Sequence, residues 1–193
     1  PGRLIVFDGI KRSGKTSALQ AVRAALEGTG REVVVTAWNS VPEINRLITE
    51  RKFARRRDPL MWTVLHLADF TLRHNEVICP ALEAGAVVLA DRYVFTALAR
   101  DVVRGVPEDY VAGCYRFAVL PDLSFYFSIP AEVSLQRQLS SVGRLFQYAS
   151  GRDIWPDLPP QEAYKRYQDQ LHRRYMEMVP HYGIRVVDGT RPP

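Results

Sequence analysis

The chain has 193 residues, of which 47% are hydrophobic and 24% are charged, and its formal net charge at pH 7 is +5. This length and apolar content suffice for one domain with a single core, and the ordinary charged fraction argues against a chain that is disordered throughout. The basic excess favours anionic partners such as nucleotides, nucleic acids or phosphorylated metabolites, without choosing among them.

Five apolar runs, rich in β-branched and aromatic residues and bounded by breakers, predict strands. Helix-length segments lie between them, and Pro80 is expected to kink the end of the third one. Strands that alternate with helices favour a parallel sheet covered on both faces. The sequence predicts strands over 4–7, 32–36, 86–90, 123–129 and 184–187, and helices over 13–26, 42–51, 59–82, 95–104, 107–119, 131–139 and 160–178.

The interval 140–160 contains Gly143, Gly151 and three prolines, and it predicts a long loop between the last two helices. Loops of that length often act as lids over a functional site. We therefore expect a single domain over residues 1–193 with a lid segment at about 140–160. The missing initiator methionine and the abrupt end leave open that the chain is a fragment of a longer protein.

Cysteine usage and hydropathy indicate the cellular setting. Cys79 and Cys114 lie in apolar segments without the spacing of metal ligands, so free thiols are expected rather than a disulfide or a zinc site. No apolar run approaches the length of a membrane span, and no charged-then-apolar leader opens the chain. These features predict a cytoplasmic protein without a membrane partner.

The segment 7–17 reads FDGIKRSGKTS and follows an apolar run. Its Gly-x-x-x-x-Gly-Lys-Thr spacing is the Walker A pattern, in which glycines let the backbone amides converge on phosphate oxygens. The lysine reaches the terminal phosphates and the threonine hydroxyl binds Mg²⁺. A glycine turn with a surface lysine is the alternative. The pattern predicts a site for ATP and Mg²⁺ formed by Gly9, Lys11, Arg12, Ser13, Gly14, Lys15, Thr16 and Ser17.

A second element is needed to hold the metal ion. The apolar run 86–90 ends at Asp91, which is where a Walker B carboxylate stands, at the carboxyl end of a strand beside the phosphate loop. The alternative is that Asp91 only caps the following helix. The sequence therefore predicts that Thr16 and Asp91 together place Mg²⁺.

Further motifs extend beyond the two Walker elements. Asp91-Arg92-Tyr93, the run PDLSFYF at 121–127 and VDGT at 187–190, together with FDGIKRSGKTS, resemble the thymidylate kinase family from end to end. The resemblance implies an α/β P-loop kinase fold with a five-stranded parallel sheet flanked by helices and a lid segment. It also implies transfer of the γ-phosphate of MgATP to a 5′-monophosphate, and it makes a homodimer possible because members commonly pair through helices.

The resemblance also implies roles for individual residues. Arg92 would clamp the acceptor phosphate, and Asp8, where the family usually has glutamate, would lie near Mg²⁺ and the transferred group. Arg12 stands where one branch of the family carries an arginine in the phosphate loop, and such a cation contributes on the order of 10³ to 10⁵ in rate. The predicted catalytic residues are Arg12, Lys15, Asp91 and Arg92.

The lid segment and the helix before it carry more arginines. Gly151-Arg152-Asp153 resembles a remnant of the family's lid signature. Arginines in such a lid would contact the phosphates of ATP, and solvated surface arginines are the alternative. The predicted additional ATP contacts are Arg137, Arg144 and Arg152.

The acceptor side departs from the family pattern. Lys11 stands where the family usually has a carboxylate that accepts a hydrogen bond from deoxyribose, and a lysine cannot accept one. Ser40 stands where the family has an arginine, and Arg100 and Asp101 replace a mostly uncharged pair. Because each lost contact costs roughly 1–3 kcal/mol for the original substrate, these exchanges argue against efficient phosphorylation of dTMP.

The long third helix should supply an aromatic ring and an arginine to thymine. Spacing from the following strand places Leu67 and Thr71 at those positions, and a slip of a few residues would bring Phe70 and Arg73 there instead. The basic side chains suggest an acceptor that is more anionic than dTMP or differently shaped. The predicted acceptor site consists of Asp8, Trp38, Phe70, Arg73, Arg92, Thr96 and Arg100.

Two functions remain open at this point. The first is an ATP-dependent kinase acting on a nucleoside monophosphate or a similar phosphorylated acceptor. The second is a nucleotide-binding regulatory module of a larger protein, inactive or weakly active. Nucleic-acid binding is disfavoured because no reader motif is present, and the run Arg55-Arg56-Arg57 is interpreted as a solvated basic stretch. The expected partners are small-molecule nucleotides.

Overall fold

The computed structural model describes residues 2–51 and 58–191, so the basic run at 55–57 lies outside the described residues. Five strands form one all-parallel sheet in the order β2-β3-β1-β4-β5. This confirms the predicted parallel sheet, with each strand close to its expected position. The strands are β1 (Arg3–Gly9), β2 (Val33–Ala37), β3 (Val87–Asp91), β4 (Leu123–Ser128) and β5 (Arg185–Asp188).

Helices cover both faces of the sheet, as predicted for a parallel α/β fold. Apolar residues of these helices pack on the sheet in two clusters, which are described below. The helices are α1 (Lys15–Glu27), α2 (Pro42–Arg51), α3 (Pro59–Arg73), α4 (Cys79–Glu83), α5 (Val94–Val103), α6 (Glu108–Cys114), α7 (Ala131–Val142) and α8 (Pro160–Tyr182).

The helix predicted over 59–82 is present, but it is not a regular α-helix along its whole length. After α3 the chain takes one wide π turn over His74–Ile78 before α4 begins. Pro80 has no amide hydrogen for the carbonyl one turn before it, and the ladder shifts so that Cys79 N–H donates to the His74 carbonyl. Pro80 is therefore accommodated by one widened turn, and the helix continues past it to Glu83.

The helix predicted over 107–119 is too long, because α6 ends at Cys114. The rings of Tyr115 and Phe117 both pack against Phe70, with centroids 5.2 and 5.9 Å away. Residues two apart on a helix face different directions, so both rings reach one partner only if the helix stops.

Alternate residues of the central strand build the two halves of the core. Leu4 and Val6 are fully buried and pack with side chains of α3, α5 and α8. Phe7 packs on the opposite face with Leu19 of α1 and with Leu89 of β3. Since both faces of β1 are covered, the strand is apolar along its length, as the sequence suggested.

The strand order fixes where a ligand can bind. Chain connections from β1 run to β2 and β3 on one side, whereas β4 and β5 lie on the other. A crevice forms outside the carboxyl ends of parallel strands where the order reverses in this way. The loop after β1 lies in that crevice, and Phe7 pairs with Asp91 at the end of β3.

The expected loop at 140–160 is shorter than predicted, since α7 continues to Val142 and a single 3₁₀ turn covers Tyr148–Ser150. This lid segment is attached to α5 through Arg104, whose guanidinium donates to Asp153 at 2.8 Å and lies over the Tyr148 ring. Within the two described ranges, none of the helices has the length and apolarity needed to cross a bilayer.

Candidate active site

A cavity of about 1500 Å³ opens at the carboxyl ends of the strands. The phosphate loop, residues 9–16, forms one wall through residues 10–16, and residues 187–191, at the end of β5 and in the turn after it, also line the cavity. Another part of the wall contains Arg92 and Arg100. The lid segment contributes Phe146 and Tyr148, so the cavity lies between the phosphate loop and the lid segment.

The backbone of the phosphate loop requires glycine at both glycine positions of the Walker A pattern. A β-carbon on Gly9 would lie 2.8 Å from the Phe127 carbonyl oxygen, and Gly14 has φ 91°. Helix α1 begins immediately after Gly14 and has no side-chain cap. Its first amide groups and the positive end of its dipole therefore remain available to an anion, as the Walker A pattern predicts.

Lys15, Thr16 and Asp91 converge at one edge of the cavity. The Thr16 hydroxyl donates to an Asp91 oxygen at 2.7 Å, and the Lys15 ammonium lies 3.3 Å from the other oxygen. Although burial opposes it, the charges of Lys15 and Arg92 lower the pKa of Asp91 below its usual value. Burial, reinforced by the charge of Arg92, lowers the pKa of Lys15 to about 8.

The pair Thr16 and Asp91 fits Mg²⁺. Both groups offer oxygen, and the carboxylate is ionised, which suits a hard cation. Within the described ranges no group of three or more His, Cys, Asp or Glu residues is placed to hold a metal ion. Mg²⁺ beside a nucleotide takes only one or two protein ligands and keeps several waters, so a pair is sufficient.

Arg12 lies at the cavity wall, and its φ of 61° is an αL conformation that residues other than glycine rarely adopt. Its Nε donates to the Oε1 of Gln138 at 3.0 Å. Arg137 serves the backbone instead, because its guanidinium donates to the carbonyls of Arg12, Gly189 and Thr190 at 3.2, 2.9 and 3.2 Å. Arg137 thus ties the turn after β5 to the phosphate loop.

Two cationic side chains outside the phosphate loop also line the cavity. Arg92 has φ 76°, and its guanidinium lies 3.4 Å from Asp8 and 3.3 Å from the Thr96 hydroxyl. Burial and the charge of Arg92 lower the pKa of Arg100. In the described part of the chain no carboxylate pairs with Arg100. This wall of the cavity is therefore positively charged without full compensation.

Asp8 lies behind this wall rather than on it. The carboxylate is 1% exposed and accepts hydrogen bonds from the Thr96 and Tyr175 hydroxyls at 2.8 and 2.6 Å, besides Arg92. Thr96 is fully buried in the same network. Asp8 and Thr96 therefore contact Arg92 from the side of the protein interior and hold its guanidinium in place.

Trp38, Phe70 and Arg73 form a compact cluster in which Phe70 and Arg73 are buried and Trp38 is half-buried. The Arg73 guanidinium lies 5.5 Å from the Trp38 ring and 5.4 Å from the Phe70 ring. Arg73 is 1% exposed, and among the described residues its three nitrogens have no hydrogen-bond partner. Burial lowers the pKa of Arg73. None of the three lines the cavity.

The residues selected by spacing on α3 lie elsewhere. The Thr71 hydroxyl donates to the Leu67 carbonyl at 2.8 Å, within its own helix. Both side chains are half-buried and do not line the cavity. Phe70 and Arg73, the pair from the shifted alignment, lie next to Trp38.

The remaining predicted ATP contacts occupy different places. Lys11 and Arg144 flank the Phe146 ring, with cation-to-centroid distances of 5.3 and 4.8 Å. Lys11, Ser13 and Ser17 line the cavity. Arg152 does not line it, and its Nε is buried without a partner among the described residues.

Several cavity residues escaped the sequence analysis. Asn39 follows β2 with φ 60°, and Asp69 accepts its amide hydrogen at 2.9 Å. An asparagine directly after a strand is a usable signal, because it tolerates the αL conformation. Tyr148, Tyr167 and Gln168 carry no local signal, since they reach the cavity only when the lid segment and α8 pack on the phosphate loop.

Comparisons with known proteins place this geometry in a wider group. A family model described as thymidylate kinase matches residues 7–142. A protein of Saccharolobus solfataricus named probable thymidylate kinase 2 is 35% identical over 99% of this chain and 90% of its own length. The thymidylate kinase of Leuconostoc citreum is 29% identical over 97% of the chain and 87% of its own length. That of Latilactobacillus sakei is 37% identical over 70% and 67%.

Proposed function

The chain belongs to the thymidylate kinase family, and we propose that it transfers the γ-phosphate of ATP to a nucleoside monophosphate or a similar phosphorylated acceptor. Enzymes of this family phosphorylate dTMP with ATP. One observation carries the proposal. The phosphate loop with Lys15 and Thr16 and the cationic pair Arg92 and Arg100 line one cavity, and Asp91 contacts both Lys15 and Thr16.

The donor side would bind and polarise the triphosphate. The amides at the start of α1 and the Lys15 ammonium bind phosphate oxygens, while Thr16 and Asp91 would hold Mg²⁺. When bound, the metal ion neutralises charge on the phosphates. Arg12 adds a cation beside the loop, where charge develops on the transferring phosphoryl group.

The acceptor side would position a phosphate as the nucleophile. A monophosphate is already an anionic nucleophile, so the reaction needs no general base. Arg92 is fixed from behind by Asp8 and Thr96, which suits it to orient an acceptor oxygen. Arg100, without a carboxylate partner in the described residues, gives a second point of attachment for negative charge.

The acceptor is proposed to differ from dTMP in charge or shape. Lys11 and Arg100 both line the cavity, so an acceptor meets more positive charge than Arg92 alone provides. The expected extra anionic group is a second phosphate or a carboxylate on the acceptor, because both pair well with guanidinium and ammonium groups.

A panel assay tests the function. Purified protein is incubated with MgATP and separate nucleoside monophosphates, including dTMP, and with nucleoside bisphosphates, and product mass is measured. We expect one or more acceptors to gain one phosphoryl group, and Lys15→Met to abolish the gain. If ATP binds but no acceptor in the panel is phosphorylated, the kinase proposal is wrong.

A second candidate function is a nucleotide-binding regulatory module. The cluster of Trp38, Phe70 and Arg73 favours it, because these side chains contact one another and do not line the cavity, where an acceptor would bind. Such a module binds nucleotide at the phosphate loop without turnover. Nucleotide affinity together with a negative panel assay is its signature.

We also propose that two copies of the chain associate. Helix α3 carries Leu60, Val64 and Leu72 with 46, 50 and 37% exposure, at spacings that place them along one face. An apolar row of this kind is typical of an interaction surface. Light scattering should give twice the chain mass, and Val64→Asp should return the monomer mass.

A further inference from the structure

A buried glutamine on α7 joins the phosphate loop to the lid segment. Gln138 is fully buried. Its Oε1 accepts a hydrogen bond from Arg12 Nε at 3.0 Å, and its Nε2 donates to the Arg144 carbonyl at 2.9 Å. One side-chain amide therefore contacts the proposed catalytic arginine at one end and the lid backbone at the other.

A second glutamine, on α8, repeats this arrangement. Gln168 is 2% exposed. Its Oε1 accepts from the backbone amide of Lys11 at 3.2 Å, and its Nε2 donates to the Ala149 carbonyl at 3.0 Å. The carbonyl of the same loop residue accepts from the Ser134 hydroxyl at 2.6 Å, so Lys11 is held on both sides of its backbone.

The chemistry of the partners requires, at both positions, a side chain that accepts at one end and donates at the other. On the loop side each glutamine faces an N–H donor, and on the lid side each faces a carbonyl acceptor. Only a group with an acceptor and a donor held in one plane satisfies both. Because the amides are buried, water cannot replace a lost partner, so one end cannot move without cost to the other.

The two lid carbonyls bracket the residues that reach into the cavity. Arg144 and Ala149 enclose Phe146 and Tyr148, both of which line it. A ligand that shifts these rings shifts the carbonyls that the glutamines bind. The displacement is then felt by Arg12 and by the Lys11 amide on the other side of the cavity.

We propose that Gln138 and Gln168 are positioning residues that couple the lid segment to the phosphate loop, so that Arg12 is aligned only while the lid carbonyls are engaged. The catalytic consequence rests on the proposed kinase function, whereas the physical coupling does not. Neither glutamine reaches the reacting atoms; each acts through the loop residues it holds.

Replacement by glutamate separates the two arms of each bridge. In Gln168→Glu the carboxylate still accepts from the Lys11 amide, but it cannot donate to the Ala149 carbonyl. When protonated, the same side chain has an O–H that donates to this carbonyl and restores the bridge. We therefore expect turnover of Gln168→Glu to equal that of the wild type at low pH and to fall roughly tenfold as the carboxyl ionises with rising pH.

Gln138→Glu should behave differently. Its carboxylate lies against the Arg12 guanidinium, which keeps it ionised, so acid does not restore the arm to Arg144. A loss of roughly tenfold in turnover is expected at every pH, with the KM for ATP nearly unchanged. The control is Gln161→Glu, an exposed amide at the start of α8, for which neither effect is expected.

Hydrogen exchange measures the coupling without catalysis. In nucleotide-free protein near neutral pH, we expect Gln168→Glu to speed exchange both in peptides covering 9–17 and in peptides covering 144–152, relative to Gln161→Glu. Faster exchange confined to one of the two regions, or unchanged exchange, overturns the coupling. So does a Gln168→Glu activity profile that lacks the pH step.

The outcomes also separate this inference from the proposed function. If the wild type phosphorylates no acceptor, the kinase proposal fails, and linked exchange of the two regions still supports the coupling. If the wild type is active and both glutamate variants keep its turnover and exchange, the kinase proposal stands and the coupling is wrong.

Discussion

The two walls of the cavity differ in how completely their charges are balanced. At the phosphate loop, Lys15 and Thr16 both contact Asp91, so cation, hydroxyl and carboxylate compensate one another. On the second wall, formed by Arg92 and Arg100, the two guanidinium groups lie close enough for the charge of Arg92 to lower the pKa of Arg100. On the first wall Asp91 balances Lys15, and on the second Asp8 balances Arg92, whereas Arg100 has no carboxylate partner among the described residues.

This difference shows which half of the site is adaptable. The proposed donor wall would bind phosphates through backbone amides, which any sequence with the correct glycines supplies. The acceptor wall uses side chains from α5 and from the loop after β3, and each of them can be exchanged separately. Substrate choice is therefore expected to reside on the acceptor wall, and variants of the two walls should affect different kinetic constants.

The largest expected effect belongs to Arg12 on the donor wall. Arg12→Ala should lower turnover on the order of 10³- to 10⁵-fold, because it removes the cation beside the transferring group. Affinity for a non-hydrolysable ATP analogue, measured by calorimetry, should stay nearly constant, as should both quantities in Arg31→Ala, an exposed control. Equal losses in turnover and affinity would mean that Arg12 only binds the ground state.

The next effect tests the support behind the acceptor wall. Asp8→Asn removes a buried carboxylate that pairs with Arg92 and accepts from Thr96 and Tyr175, and it should lower the free energy of unfolding by about 3–5 kcal/mol. Urea denaturation measures the loss, with Asp109→Asn as an exposed control.

Because Asp8 serves Arg92, the variant should also raise the KM for the acceptor more than the KM for ATP. A larger change in the KM for ATP would instead place Asp8 functionally on the donor wall, in keeping with its position immediately before the phosphate loop in the sequence.

A smaller effect is expected for the second acceptor cation. Arg100→Gln should raise the KM for the acceptor roughly 10- to 100-fold, the worth of one hydrogen bond to a charged group, and leave the KM for ATP unchanged. Arg116→Gln, on the exposed surface, is the matched control. Equal kinetics of Arg100→Gln and the wild type would remove Arg100 from the acceptor wall.

The smallest effect concerns pH and the donor wall. The pKa of Lys15 is lowered to about 8, so its charge in the nucleotide-free protein is lost as pH rises through that value. Affinity for a non-hydrolysable ATP analogue should then fall by at most about tenfold per pH unit. Lys15→Met should remove this dependence, and a slope that persists in the variant would assign it to another group.

The same lysine predicts the opposite trend for stability. The unfolded chain keeps the Lys15 proton up to its ordinary pKa of 10.5, whereas the nucleotide-free folded protein releases it from about 8 upwards. Between these values the unfolded state binds more protons, so this group makes the free energy of unfolding rise with pH. Comparing Lys15→Met with the wild type by urea denaturation isolates the contribution.

Local sequence was sufficient where the physical requirement is local. Gly9, Gly14 and Lys15 are predictable because a phosphate cradle needs a tight turn immediately before a helix. The five strands are predictable because a parallel sheet covered on both faces needs uninterrupted apolar runs. In contrast, a spacing count along α3 selected Leu67 and Thr71, because the register of a helix against its neighbours is not written in the helix alone.

Sequence by itself determined the parallel α/β sheet, the phosphate loop and the carboxylate at the end of β3, since each depends on a few consecutive residues. Tertiary structure alone decided that Asp8 faces inward to Arg92, that Trp38, Phe70 and Arg73 close on one another, and that the lid segment reaches the loop through buried amides. These contacts join residues up to 167 positions apart in the chain. Their energies depend on burial and direction, which exist only once the helices have packed on the sheet.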